Sequence, residues 1–430
     1  GIKKLPHSHY LLWQDGKTVI KKYWSLDFSE KLNWSGEKII EGLTDNLREA
    51  VNIRLISDVP LGACLSGGID SSAIVAAMAG LMNQPVKTFS VGFREDSFNE
   101  LPYARIVSRK FQTEHHETTV SPSAADILPK LVWNYEEPFA DSSALPTYYL
   151  FEMIKPHLKV VLSGDAGDEN FAGYNRYVRM KQFSYYQNIP SFIRDNLMDN
   201  SLELLSRLTR QSIFSKVLRY SKACNETVIN NYLGVIGYFL DSDKKELYSS
   251  EFNALVNAYD SSSFIGNYYQ NSNAENKLEK LLAVDFDSYL PDDLMVKVDI
   301  ASMMHSIECR VPMLDHKFLE FVAKIPFDCK LRRFNKKYIL KKALRNRLPA
   351  EILDRKKMGF GVPIVRWLRE ELKGFTHDHL LSKQALDRGY FRKEGIQNML
   401  DEHSGARRDH SSRIWALLWL ELWHEAFIDR

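Results

Sequence analysis

Cysteine is scarce in this 430-residue chain, with four residues, Cys64, Cys224, Cys309 and Cys329, and none in C-x-x-C spacing. Such a scatter makes neither a disulfide framework nor a zinc site, and it fits a reducing, cytoplasmic compartment. An excess of one charge is also missing. Lys and Arg number 57 and Asp and Glu 55, for a net charge of +2, so the basic footprint of a non-specific nucleic-acid binder is absent. No apolar run approaches the roughly 18 residues of a membrane span; the longest, Ala73 to Met82, has the length of a buried helix. Internal repeats and low-complexity tracts are lacking too. What is present is an ordinary globular composition, 44% hydrophobic, 12% aromatic and 26% charged, enough to build a large core and to exclude extensive disorder. At roughly 150 residues per domain the length predicts two or three domains.

The first 36 residues stand apart. Tyr10-Leu11-Leu12-Trp13 and Thr18-Val19-Ile20 flank Asp15-Gly16, the signal of a β-hairpin. A hairpin alone is marginal in water, so this one is expected to pack on something else or to be the stump of another domain. With Gly1 in first place, the chain is expected to be a processed or cut fragment. Residues 37–54 then carry Ile39, Ile40, Leu43, Leu47, Ala50 and Val51 at helical spacing. Strands are predicted at 59–65, 86–91, 115–120 and 159–163, and helices at 72–82, 101–111, 123–135 and 145–155. Alternation of this kind implies an α/β fold with a parallel sheet and helices on both faces. From about Arg176 onward amphipathic helical stretches dominate, ending in the very apolar Ser411–Phe427. The expected division is 1–36 hairpin and linker, 37–178 α/β core, and 179–430 a mainly helical part. Met303, Met304, Trp415 and Trp419 are expected in the core.

Two segments carry chemistry. Ser66-Gly67-Gly68-Ile69-Asp70-Ser71-Ser72 joins an apolar strand to an apolar helix. Its glycines allow a sharp turn and close approach to a ligand, and its backbone N–H groups and serine hydroxyls suit an anion. It is not a Walker A loop, because no G-K-[ST] follows. The other segment, Val161 to Tyr174, ends a strand in a glycine-spaced turn holding Asp165, Asp168 and Glu169. Carboxylates so close repel unless a cation or protons lie between them. Mg²⁺, with its hard oxygen ligands and retained substrate phosphates, suits the site; the EF-hand spacing of a calcium site is absent. His115 and His116, adjacent on a strand, point to opposite faces and are not read as metal ligands.

The Ser66–Ser72 segment resembles the pyrophosphate loop of the N-type ATP pyrophosphatases, which cleave ATP between its α- and β-phosphates. The acidic segment is similar to the S-G-[DE]-G-x-D-E-x-F-x-G-Y run of the asparagine synthetase B family. Other stretches agree in order: Ser90-Val91-Gly92-Phe93, Asp292-Asp293-Leu294 through Asp299, Glu308 to Asp315, Lys337-Tyr338-Ile339-Leu340, Leu348-Pro349, and Arg355 to Phe360. The resemblance covers about residues 37–425. Within it Ala166 and Ala172 stand where the family usually has glycine, and Asn170 where an aliphatic residue is common.

The resemblance implies an N-type ATP pyrophosphatase-like α/β core followed by a mainly helical part, with ATP and Mg²⁺ as cofactors. Ser66, Gly67, Gly68, Ser71 and Ser72 would hold pyrophosphate, Asp70 and Asp168 the metal ion, and Leu65, Val91, Ser163 and Gly164 would border adenosine. Asp165 and Lys337 would be catalytic. The implied reaction is ATP-dependent amidation of a small-molecule carboxylate by ammonia, with aspartate giving asparagine; the alternatives are a sugar uronate, a peptide carboxylate or β-lactam closure. A non-catalytic synthetase-like subunit would have lost an acidic ligand or the lysine, and none is lost. Residues 1–24 resemble the last strands of the family's glutaminase domain, expected upstream in the parent protein. A homodimer is left open, as are the roles of residues 136–143. Glu308, Arg310 and Asp315 are read either as an ion-pair network near the substrate or as a structural lock.

Overall fold

The structure, a computed structural model, describes residues 2–120, 124–190 and 226–429. Gly1, Ser123 and Cys224 lie outside the described residues. Strands β1 (His9–Gln14) and β2 (Lys17–Lys22) form the expected antiparallel hairpin. Asp15 and Gly16 both have positive φ, 49° and 74°, as a two-residue turn matched to the strand twist requires. Leu11, Leu12, Trp13 and Ile20 are exposed on it.

Helix α1 (Gly36–Asn52) starts at Ser35, whose hydroxyl accepts from the Lys38 N–H, and buries Ile39, Leu43, Leu47, Ala50 and Val51 on one stripe. The core then runs β3 (Leu61–Cys64), α2 (Ile69–Ala79), β4 (Lys87–Phe93), α3 (Leu101–Phe111), β5 (Glu114–Val120), α4 (Ala124–Tyr135), α5 (Ala144–Ile154), β6 (Val160–Leu162). A fifth parallel strand, β7 (Glu308–Arg310), closes the sheet in the order β5-β4-β3-β6-β7. Sequence periodicity does not find β7. It has three residues, two of them charged, inside a helical stretch, and only its pairing with β6 makes it a strand.

Alternating side chains divide between the two faces of the sheet. Ala63, Leu65 and Leu162 pack with α1, α2, α3 and the helix Tyr338–Leu344. Phe89 and Val161 pack on the other side, with α5 and the helix Val296–Met303. A separate core gathers on Ser411–Phe427, where Trp415 and Trp419 are buried against α4, Trp367 and Leu368. Met303, expected in the core, is 59% exposed; its helix buries Lys297, Val298, Ala301 and Ser302 instead. Among the described residues no helix is long and apolar enough to cross a membrane.

The strand order places the site. From β3 the chain builds outward to β4 and β5 on one side, then returns to β6 and β7 on the other. The crevice between β3 and β6 is therefore the topological switch point, where open α/β sheets bind ligands at the strands' carboxyl ends.

Candidate active site

Both glycine-rich turns leave the sheet at that crevice. Leu65 extends β3, donating its N–H to Phe89 at 2.9 Å and accepting the Ser90 hydroxyl. Gly67 has φ 69°, and a Cβ there would meet the Tyr103 and Ala104 backbone at 2.5 Å, so both conformation and space demand glycine. The Ser66 and Ser71 hydroxyls lie 3.1 Å apart, and the Ser66 N–H donates to Ser71 Oγ at 3.2 Å. Helix α2 opens at Gly68 with no side-chain cap, so its first N–H groups remain for a ligand. Leu65, Ser66, Gly68, Asp70 and Ser71 line a cavity of about 550 Å³. Gly67 and Ser72 do not. The Gly67 carbonyl accepts from Arg355 at 3.1 Å, and Ser72 is fully buried with no hydrogen-bond partner for its hydroxyl among the described residues.

The acidic turn follows β6. The Ser163 N–H donates to Arg310 of β7 at 2.9 Å, and its hydroxyl donates to Asp165 Oδ2 at 2.7 Å. A Cβ on Gly164 would overlap the Asp70–Ser71 backbone, one on Gly167 the Asp70 carboxyl, and one on Gly173 both Asp168 and the Lys337 stem. The two turns therefore touch through glycines. Ala166 has φ 66° and Ala172 φ 50°, a left-handed backbone that costs an L-residue about 1–2 kcal/mol. Here alanine bears that cost at two positions inside a buried turn.

The acidic turn is expected to need a cation or protons between its carboxylates, and side-chain ammonium groups stand there. Lys337 Nζ donates to Asp70 and lies 2.7 Å from Asp168 Oδ1. Lys357 Nζ donates to Asp168 Oδ2 and sits 3.9 Å over the Tyr174 ring. Lys337 is delivered from the first residue before the helix Tyr338–Leu344, with φ 53° and its N–H on the Phe171 carbonyl. Burial pushes Asp168 up, but Lys337 and Lys357 outweigh it and hold the carboxyl well below the usual range. Burial also raises Asp70, only partly opposed by Lys337. For Lys337, burial works against the charge while Asp168 and Asp70 raise its pKa, so it stays an ammonium. The third carboxylate, Glu169, is buried, receives the Tyr174 hydroxyl at 2.5 Å, and is pushed up to about 7 by burial and by Asp168.

Two carboxylates converge on glycine-bared space, and Asp70 Oδ1 is buried without a hydrogen-bond partner among the described residues. Hard oxygens of this kind suit a divalent cation, while the position between them is taken by the Lys337 ammonium and no group of three or more His, Cys, Asp or Glu side chains gathers among the described residues to hold a metal ion. Lys357 was not singled out from sequence, although it lies in the Arg355–Phe360 stretch. Its role is visible only once that stretch crosses the cavity, anchored by Arg355 on the buried Glu100.

The cavity is also lined by Val91, Ser142, Ser143, Asp141, Lys297 and Cys309. Lys297 Nζ reaches Asp141 Oδ2 and Ser143 Oγ, both at 2.7 Å. Glu308, Arg310 and Asp315 do not line it. Arg310 donates to the Arg54 and Ile56 carbonyls and pairs with Glu308. Asp315 pairs with Arg54 and caps the helix His316–Ala323. They tie β7 to the end of α1, which is the structural lock. Burial lifts the thiol of Cys64, which lines the cavity, well above its ordinary pKa, as for an unreactive cysteine. His115 bonds Thr88 and His116 stacks on Phe89.

A parallel sheet with an anion loop and an acidic loop at its switch point defines an α/β nucleotide-binding protein. The family described as asparagine synthase matches residues 42–425, and the chain belongs to it. It is 31% identical over 431 aligned residues to asparagine synthetase (glutamine-hydrolyzing) 1 of Bacillus subtilis (strain 168), covering 100% of this chain and 66% of that protein. It is 28% identical to asparagine synthetase (glutamine-hydrolyzing) 3 of the same organism, over 83% of this chain and 54% of that one. Amidase chyE of Penicillium rubens is 26% identical over 85% of this chain and 59% of its own length. The chain thus spans less than two thirds of these relatives.

Proposed function

We propose that this chain is the synthetase part of an ATP-dependent amide ligase. The substrate carboxylate, the side chain of aspartate, attacks the α-phosphorus of ATP; pyrophosphate leaves, and ammonia then displaces AMP to give asparagine. Adenylation is needed because a carboxylate resists nucleophiles through both resonance and charge. The observation that carries the reading is the meeting of the two turns, which sets Asp70, Asp168 and Lys337 together at the carboxyl edge of the sheet.

In this reading Ser66, Gly68 and Ser71 cradle pyrophosphate, while Leu65, Val91, Ser163 and Gly164 border adenosine. Asp70 and Asp168 would hold Mg²⁺, which when bound would neutralise charge on the departing pyrophosphate. Lys337 and Lys357 place further positive charge where negative charge develops. Asp165, held by the Ser163 hydroxyl, accepts a proton from the attacking ammonia. The proposed division at residues 36 and 178 separates the hairpin and linker, this core, and the helical part completing the cavity. The relatives' names state glutamine hydrolysis, so the exposed apolar hairpin suits contact with a glutamine-hydrolysing domain of the parent protein.

The test is ATP–pyrophosphate exchange with a panel of carboxylic acids at saturating Mg²⁺. Aspartate-dependent exchange is expected; ATP binding with no exchange for any acid overturns the reading.

A further inference from the structure

Arg176 lies two residues after Tyr174, the N-cap of the helix Asn175–Gln187. It is not among the residues that line the cavity, but Tyr174 and Tyr289 are. Its guanidinium carbon lies 4.0 Å over the Tyr174 ring and 4.4 Å over the Tyr289 ring. Those rings stand edge to face, at 83° with centroids 5.9 Å apart, so Arg176 fills the corner that they make. Its side chain is 10% exposed, and its charge is answered by Asp285. That carboxylate, fully buried in the helix Lys277–Asp287, accepts from Arg176 Nε at 3.1 Å and from the hydroxyls of Tyr177 and Tyr232. The Tyr174 ring carries a second cation. The Lys357 ammonium lies 3.9 Å from its centroid and donates to Asp168.

A pair that only tied two helices together would need Arg176, Asp285 and the two hydroxyls. It would not need the guanidinium against two walls of the cavity, and a buried ion pair gains little over apolar packing of the same volume. What a guanidinium offers here is its plane, which stacks on aromatic rings as an ammonium does not. Lys357 has reason to depend on such support. It comes from the irregular stretch between the helices Ala350–Asp354 and Ile364–Arg369, where no helix or strand sets the direction of a side chain. We propose that Arg176 is a positioning residue for Lys357: it fixes the Tyr174 ring against Tyr289, and the ring holds the Lys357 ammonium beside Asp168, facing the pyrophosphate of the proposed reaction. The inference rests on the ligase reading for the anion that Lys357 meets, and it adds to that reading a residue outside the cavity wall.

The test is a double-mutant cycle read in pyrophosphate binding, by calorimetry at fixed Mg²⁺. Arg176→Met is expected to weaken pyrophosphate about ten-fold, the worth of one desolvated cation–π contact. In the Lys357→Met background the same substitution should change Kd by less than about two-fold, because nothing is left to position; in the Lys337→Met background the loss should stay near about ten-fold. Arg176→Lys keeps the charge against Asp285 but not the plane, and should recover part of the loss. In exchange kinetics kcat should follow the same pattern, with KM for the acid unchanged. A role confined to holding the helices would lower the melting temperature and weaken binding by one common factor in every background. That result, an unchanged Kd in Arg176→Met, or no pyrophosphate binding by the unmodified chain overturns the inference. Arg176→Met leaves Asp285 without its counter-charge; if it does not fold, Tyr174→Leu takes its place, with the same coupling to Lys357 expected and simple additivity again overturning the inference. Pyrophosphate binding needs no turnover, so exchange with no acid at all overturns the ligase reading alone, while the cycle still decides on Arg176.

Discussion

The ammonium of Lys337 lies 2.7 Å from the carboxylate of Asp168, inside the space that a metal ion would share with Asp70. The lysine is thus counter-charge to both carboxylates of the two turns, and in the proposed reaction the same ammonium would face the leaving phosphates.

Lys337→Met is expected to cut pyrophosphate exchange at least about a hundred-fold, the usual effect of removing one charge-stabilising donor. It should also destabilise the protein by about 3 kcal/mol, because two buried carboxylates lose a shared partner. Added Mg²⁺ should restore part of the lost melting temperature in the variant and do less for the unmodified chain. An equal Mg²⁺ shift in both would show that the lysine and the metal ion do not share a place.

Asp70→Asn and Asp168→Asn should each lose exchange while keeping far-ultraviolet circular dichroism. Asp168→Asn should be the less stable of the two, since it leaves Lys337 and Lys357 facing one another with only Asp70 between them. Near-normal exchange in both variants ends the metal assignment.

The turn geometry separates two small substitutions. Gly164→Ala drives a methyl group into the Asp70–Ser71 backbone, which cannot swing aside, and should lower exchange about a hundred-fold by displacing the reacting groups. Ala166→Gly removes a methyl group from a residue at φ 66°. Relief of left-handed strain offsets the added freedom of the unfolded chain, so stability should change by less than about 1 kcal/mol. Paired kinetic and melting measurements on the two variants check this, and equal activity would mean that the contact between the turns is dispensable.

Lys330 gives a pH test remote from the cavity. It is 1% exposed, 3.9 Å from Glu279, and Glu279 is itself taken by Lys31 at 2.8 Å. Burial pushes Lys330 down to about 7, with Glu279 opposing and Lys31 adding to the shift. An unfolded lysine titrates near 10.4, so between about pH 7 and 10 the unfolded chain binds more protons and stability rises with pH. With Glu279 still held by Lys31, Lys330→Met should flatten that rise and stabilise the protein at neutral pH, an advantage that shrinks toward pH 10. Urea denaturation at pH 7 and 9.5 measures it; identical slopes in the two proteins would show that Lys330 is charged when folded.

Much of the fold was legible in local pattern. Leu101–Phe111 and Ser411–Phe427 form helices over the residues that their periodicity marked, and four strands of the sheet appear close to their expected places. These signals survive because each segment buries its own apolar stripe or face, which requires only that some core be present. Strand β7 and Met303 escaped for the converse reason. Three residues carry no periodicity, and an apolar side chain at a helix end is buried or exposed according to what packs there.

The parallel α/β core, the two glycine-rich turns and the chemical types of their side chains are written in the residues themselves, because backbone freedom, strand alternation and carboxylate chemistry are local properties. Which charges meet is a matter of tertiary packing alone. Lys337 and Lys357 lie far along the chain from Asp70 and Asp168, and Lys297 far from Asp141, so no spacing rule joins them. Their pairing depends on two distant helices and one crossing segment being packed onto the carboxyl edge of a sheet, where burial leaves each carboxylate in need of a partner and each ammonium one place to go.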